Sequence, residues 1–151
     1  MDKAELARQF FRSGCNCAQS VLCAFEKECG LDHESALKLA SGFGAGMARM
    51  REVCGAVSGM FMAADLIFGP SDPNDKAAKD AHYAELQKLA AEFRKETGSV
   101  ICRVMLGLEK SGPDDPVSEA RTEAYYRKRP CSELCALAAG ILENYLDHEV
   151  P

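Results

Sequence analysis

Glu52-Val53-Cys54-Gly55-Ala56-Val57-Ser58-Gly59-Met60-Phe61-Met62-Ala63-Ala64-Asp65-Leu66-Ile67-Phe68 is the stretch on which the fold turns. Val53, Val57, Met60, Phe61, Ala64, Ile67 and Phe68 cover nearly every side of a helical spiral. A helix that is apolar all round belongs in the middle of a bundle. Ser58 and Asp65 interrupt the run, which falls short of the roughly 20 apolar residues that span a bilayer. Gly55 and Gly59 lie on one face beside Ala56, where a neighbouring helix or a bound group can reach the backbone. The spacing leaves both roles open.

Upstream, helix starts can be recognised from their caps. Asp2 with Glu5 opens a helix that ends at Ser13-Gly14. Asn16 with Gln19 opens a second, with Cys17 as its first residue, Val21, Leu22, Phe25 and Cys29 on its apolar face, and Gly30 as its stop. Cys23 falls with Asn16, Gln19, Ser20 and Lys27 on the more polar side. Asp32 caps a third helix carrying Ala36, Leu37, Leu39 and Ala40. Ser41 to Met47 contains three glycines alternating with other residues, a signal for a tight turn or a close backbone approach. It lacks the Lys-Ser/Thr ending of a phosphate-binding loop.

Downstream, Gly69 to Asp75 is a loop, and a long helix follows from Lys76 to Glu96. His82 sits on its apolar stripe with no zinc-site spacing around it, as expected of a satisfied boundary histidine; His33 and His148 also lack ligand spacing. Ser99 caps a short helix with Cys102 in its first turn, and Val117 to Arg129 is part helix, part link. Pro130 opens a final helix with Cys131, Leu134, Cys135, Ala138, Ile141, Leu142, Tyr145 and Leu146 on one face. No segment alternates with period two for long enough to demand a strand. The expectation is one all-α domain over residues 1–151, an irregular bundle of six or seven helices around the central apolar helix.

Lys and Arg total 18 against 23 Asp and Glu, a net charge of −5 that argues against a nucleic-acid surface. The densest basic stretch, Arg127-Lys128-Arg129, is expected to be a solvated helix end. Met1-Asp2-Lys3-Ala4-Glu5 has neither the basic region nor the apolar run of a secretory signal, so a cytoplasmic location without membrane insertion is expected. Eight cysteines in such a reducing compartment point to metal ligation, redox work or burial.

Cys17, Cys102 and Cys131 fall in first turns, and Cys54 lies close to one. Unpaired N–H groups and the positive end of the helix dipole favour a thiolate there, which predicts lowered pKa values. Converging helix starts would give an electropositive, thiol-lined pocket for a soft metal, an iron–sulfur cluster or a dithiol–disulfide cycle. No Cys-x-x-Cys occurs, so neither a thioredoxin-like site nor a zinc knuckle is signalled.

Met47-Ala48-Arg49-Met50-Arg51-Glu52-Val53-Cys54-Gly55-Ala56-Val57-Ser58-Gly59 resembles the signature of a family described as redox-active and named for a Cys-Gly-Ala-x-x-Gly motif with further spaced cysteines. Asn16-Cys17-Ala18-Gln19-Ser20-Val21, Gly98-Ser99-Val100-Ile101-Cys102-Arg103 and Cys131-Ser132-Glu133-Leu134 resemble its first, third and last cysteine segments. The resemblance covers residues 14 to 146 and implies a helical domain whose characteristic cysteines are Cys17, Cys54, Cys102 and Cys131. It implies no particular substrate or cofactor. Cys15, Cys23, Cys29 and Cys135 lie outside the pattern and are expected to pack, with Cys15 and Cys135 as auxiliary thiols.

Together these features predict a cytoplasmic thiol redox or electron-transfer protein with Cys17, Cys54, Cys102 and Cys131 as the reacting groups and an unidentified redox partner. Gly55 and Gly59 would flank the bound group, and Arg51 and Arg103 would stabilise a thiolate or an anionic ligand. Two alternatives stand beside it. One is a metal or iron–sulfur module ligated by the same cysteines; the other is a non-enzymatic helical homodimer in which they only pack.

Overall fold

The computed structural model describes residues 1–109 and 111–149, and helices dominate it. They are α1 (Lys3–Arg12), α2 (Cys17–Ala24), α3 (Glu26–Cys29), α4 (His33–Ala40), α5 (Gly55–Phe68), α6 (Lys76–Thr97), α7 (Cys102–Met105), α8 (Glu123–Lys128) and α9 (Cys131–His148). A further turn, Gly44–Met47, is left-handed inside and belongs to the site described below. Caps start most of the longer helices. The Asp2 carboxylate accepts the Glu5 N–H at 2.8 Å, Asp32 accepts that of Ser35 at 2.8 Å, and Asp75 accepts that of Ala78 at 3.0 Å. Asn16 and Gln19 complete a reciprocal capping box at the start of α2.

The described residues form an irregular all-α bundle without a β-sheet, but with nine right-handed helices rather than six or seven. The expected helix from Cys17 to Cys29 breaks at Phe25 (φ −110°, ψ 14°), whose ring is fully buried, and resumes as α3. α7 and α8 are pieces of four and six residues, too short to stand out by periodicity. Ser99 does not cap α7; its hydroxyl accepts the Ile101 N–H at 3.0 Å, and Ile101 precedes the helix. α5 starts three residues later than predicted because Glu52 to Cys54 run antiparallel to 100–102. The Cys54 N–H donates to Val100 O at 2.8 Å and the Cys102 N–H to Glu52 O at 2.7 Å.

The middle of the bundle is also occupied by a different helix. Seven of the eight residues of α2 are buried, Cys23 among them, and it packs against α1, α4, α5 and α9. Ser20 tolerates this because its hydroxyl donates to Asn16 O at 2.7 Å. α5 buries Ala56, Val57, Met60, Ala63 and Ala64 but leaves Leu66 exposed, so the most apolar stretch of the chain lies beside the centre. Its far end holds His82 as the boundary histidine expected: Nε2 lies 2.6 Å from Asp65 Oδ1 and the ring meets the Phe68 edge. Among the described residues no helix is long and apolar enough to cross a membrane.

α5 approaches α2 on its glycines. A Cβ at Gly59 would lie 2.5 Å from the Ala18 carbonyl oxygen, and one at Gly55 would lie 2.9 Å from Phe43 O and 3.0 Å from Cys17 Cβ. Gly140 in α9 offers the contrast, its nearest neighbour being Ala4 Cβ at 3.8 Å. Gly59→Ala is therefore expected to destabilise the protein by about 1–3 kcal/mol through backbone overpacking. Gly140→Ala should stabilise it by about 0.5–1 kcal/mol through helix propensity. Urea unfolding of the two variants checks the pair, and equal effects would place the α2–α5 contact elsewhere.

Candidate active site: a cavity lined by four cysteines

Four helix starts converge on one cavity. Cys17 is the first residue of α2, Cys102 of α7 and Cys131 of α9, while Cys54 immediately precedes α5. All four line a cavity of about 230 Å³, and each is less than a tenth exposed, so the thiols face the cavity and not the surface. The Cys17 and Cys131 thiols are near enough to shift each other's pKa, and Cys135 Sγ lies 3.7 Å from Cys17 O. Gly55 lines the cavity, whereas Gly59 lies against Ala18 on α2 and is not part of the lining. Arg51 lines it too, with Nη1 3.7 Å from Cys102 Sγ. Arg103 is not in the lining, and its guanidinium donates to Met50 O and Gly112 O.

One wall is backbone in an unusual conformation. Ala45, Gly46, Met47, Ala48 and Arg49 all have positive φ (55°, 69°, 69°, 50° and 66°), and Arg51 follows at 60°. This is a turn of left-handed helix, which costs an L-residue roughly 1–2 kcal/mol per position. Gly46 is the one glycine of the run, and a Cβ there would lie 2.6 Å from Arg51 Cα and 2.7 Å from Cys102 Cβ. The turn persists because its neighbours fix it. The Glu52 N–H donates to Gly46 O at 2.8 Å, Arg49 Nε to Asp115 O at 2.7 Å, and Arg51 Nε to Asp114 Oδ2 at 2.8 Å. Strain held in this way aims Arg51 inward, where it is 5% exposed, and brings it to Cys102.

The expected thiolates do not follow. Burial pushes the Cys54 thiol up to about 12 and outweighs the Ala56 and Val57 N–H groups, which act in the opposite sense. Burial likewise raises Cys102, with Arg51 and Arg129 opposing. Cys131 is raised first by its hydrogen bond to Cys17 and then by burial. At Cys17 the hydrogen bond from Cys131 is lowering, but Cys135, burial and nearby thiols together raise the pKa well above its ordinary value. At Cys54 the helix start thus supplies the predicted N–H groups, and desolvation exceeds them.

The side chains missed in the sequence come from the link before α9. Glu119, Arg121, Tyr125 and Arg129 line the cavity together with Arg49. The Arg121 guanidinium lies 4.4 Å over the Phe11 ring and donates to Phe11 O and Cys15 O at 3.0 Å each, which closes the end of α1. Arg129 pairs with Glu119, whose carboxyl is held at about 2 by Lys128 and Arg129. The basic triplet is therefore split: Arg127 is solvated as expected, whereas Arg129 is largely buried. An isolated Arg121 in a polar link carries no signal of these contacts.

All eight cysteines are free thiols. Among the described residues, no three of the cavity sulfurs lie within 4.8 Å of one another, so a shared metal would require their side chains to close in. The family model described as "Putative redox-active protein (C_GCAxxG_C_C)" matches residues 15–145. The chain belongs to this family. In this chain Cys54 and the two glycines that seat α5 on α2 make a Cys-Gly-Ala-x-x-Gly segment. No curated protein and no solved structure matches the chain.

The raised thiols give stability a distinct pH dependence. In the unfolded chain cysteines ionise near 8.5. In the folded chain Cys54 and Cys23 keep their protons to about 12 and Cys29 to about 11. Above about pH 8.5 the native state therefore binds more protons than the unfolded one, and stability falls by about 1.4 kcal/mol per pH unit for a thiol as buried as Cys54 and by less for the partly exposed Cys29. Denaturant unfolding from pH 7 to 10 should show this decline, and Cys54→Ala should reduce its slope by one thiol's share.

Proposed function

We propose that the chain is a thiol redox protein of the reducing cytoplasm in which Cys17 and Cys131 form the reacting dithiol and Cys54 and Cys102 share their cavity. The observation that carries this reading is the convergence of Cys17 and Cys131, from distant parts of the chain, on one cavity, where each thiol shifts the other's pKa. The step that suits it is exchange with a disulfide, R–S–S–R′. One thiol loses its proton and attacks a sulfur, releasing R′S⁻, which takes up that proton. The second thiol then displaces RS⁻ in the same way. The products are a Cys17–Cys131 disulfide and two thiols, so two electrons have passed to the acceptor.

Burial gives the dithiol a resting state. Thiols held protonated attack slowly, so exchange depends on an acceptor that enters the cavity and brings its sulfur to them. Arg51, beside Cys102 and facing the same space, suits an acceptor with an anionic group.

Equilibration of the native protein in graded thiol–disulfide buffers, acid quenching, alkylation and peptide mapping tests the reading. The expected product is a Cys17–Cys131 disulfide that forms reversibly and is absent from Cys131→Ser. Oxidation confined to Cys15 and Cys29, or oxidation only after denaturation, would overturn it.

A further inference from the structure

We infer that Cys23, Glu26 and His33 form a separate binding site for one divalent ion of the zinc class. A cysteine sulfur, a carboxylate oxygen and an imidazole nitrogen lie mutually within 4.8 Å there, at the junction of three helices and outside the cysteine cavity. Cys23 is in the last turns of α2, Glu26 begins α3 and His33 begins α4. The left-handed Gly30 (φ 70°) turns the chain so that His33 returns over the other two. His33 Nδ1 is 2.8 Å from Glu26 Oε2, and its ring stacks on Phe10 with centroids 5.6 Å apart, which sets the plane of the imidazole.

A surface ion pair explains Glu26 and His33, and core packing explains the burial of Cys23, but neither requires the sulfur to lie within 4.8 Å of both the carboxylate and the imidazole. Cys23 is only 1% exposed, Glu26 is partly exposed and His33 is exposed, so the donors descend from solvent to core like a port with its softest ligand innermost. Thiolate, imidazole and carboxylate with a fourth position open to water make a donor set of the kind zinc takes at accessible sites. Metal–ligand bonds of about 2.0–2.3 Å need only a modest contraction from the present spacing. On binding, the ion forms bonds to sulfur, nitrogen and oxygen, and the Cys23 thiol proton leaves to solvent. Nδ1 gives up the proton it donates to Glu26 and the neutral ring keeps one on Nε2, so the ion replaces the hydrogen bond between His33 and Glu26.

Anaerobic titration of the reduced full chain with Co²⁺, followed by absorption, tests the inference. The expected result is one equivalent bound, with a sulfur-to-cobalt charge-transfer band and tetrahedral ligand-field bands, displaced by Zn²⁺. His33→Gln and Glu26→Gln are the principal variants, because both side chains reach solvent and their loss leaves the core intact; each should weaken binding by about tenfold or more. Cys23→Ser should abolish the charge-transfer band. No stoichiometric binding, or binding and spectra unchanged in both His33→Gln and Glu26→Gln, would overturn the assignment. Failure of this site leaves the dithiol reading intact, since none of its ligands lines the cavity.

Discussion

The contact between the backbones of α2 and α5 is the constraint on which the rest of the structure depends. Where Gly59 meets the Ala18 carbonyl there is no room for a methyl group, and one turn earlier Gly55 meets Cys17 and Phe43 O under almost the same condition. Two helices at that distance place their starts side by side. Cys17 and Cys54 therefore reach the same cavity without any long side chain having to bridge a gap. The motif spacing is thus first a packing device. Gly55 contributes to the cavity as well, while Gly59 acts entirely through the helix contact.

The second pair of cysteines is delivered differently. Cys102 is placed by the short antiparallel contact of residues 52–54 with 100–102, and this register is held by the left-handed turn before it. Four residues other than glycine in that turn are in a conformation that L-amino acids avoid, so its cost must be offset by contacts made outside it. Asp114 and Asp115 make those contacts to Arg51 and Arg49. The arginine that touches Cys102 is consequently also a tie holding the turn in place, which couples the charge of the site to its shape.

Much of this organisation was legible in the sequence, and the gaps have identifiable causes. Asp2, Asn16 and Asp32 cap helices because a short polar side chain can satisfy an N–H within its own turn, a local event that local sequence records. Cys17 was legible for the same reason, whereas Cys54, Cys102 and Cys131 stand at helix starts without a side-chain cap, and their segments were legible through the family resemblance. The central position of α2 was not, because the face carrying Ser20 and Cys23 looks polar until the Ser20 hydroxyl is seen to be satisfied by Asn16 O. Ala45, Ala48 and Arg49 give no hint of positive φ, and Arg121 finds its partners more than a hundred residues away.

The thiol pKa values show which physical effect wins at such a site. A helix start favours an anion through N–H groups and a partial charge, an effect of about 0.3–1 kcal/mol at an exposed position and rarely above about 2 kcal/mol. Complete burial of a thiolate costs more than that unless a full cation accompanies it. At Cys54 the N–H groups are present and the pKa still stands near 12. At Cys102 a cation is also present, but Arg51 is shared with Asp114, and the thiol is again raised. Because Arg51 and Arg129 are already paired with carboxylates and Arg121 is spent on the carbonyls of Phe11 and Cys15, whatever turns these thiols into nucleophiles must alter their solvation or bring charge with it. On the proposed dithiol reading, reactivity in this cavity is therefore conditional on occupancy.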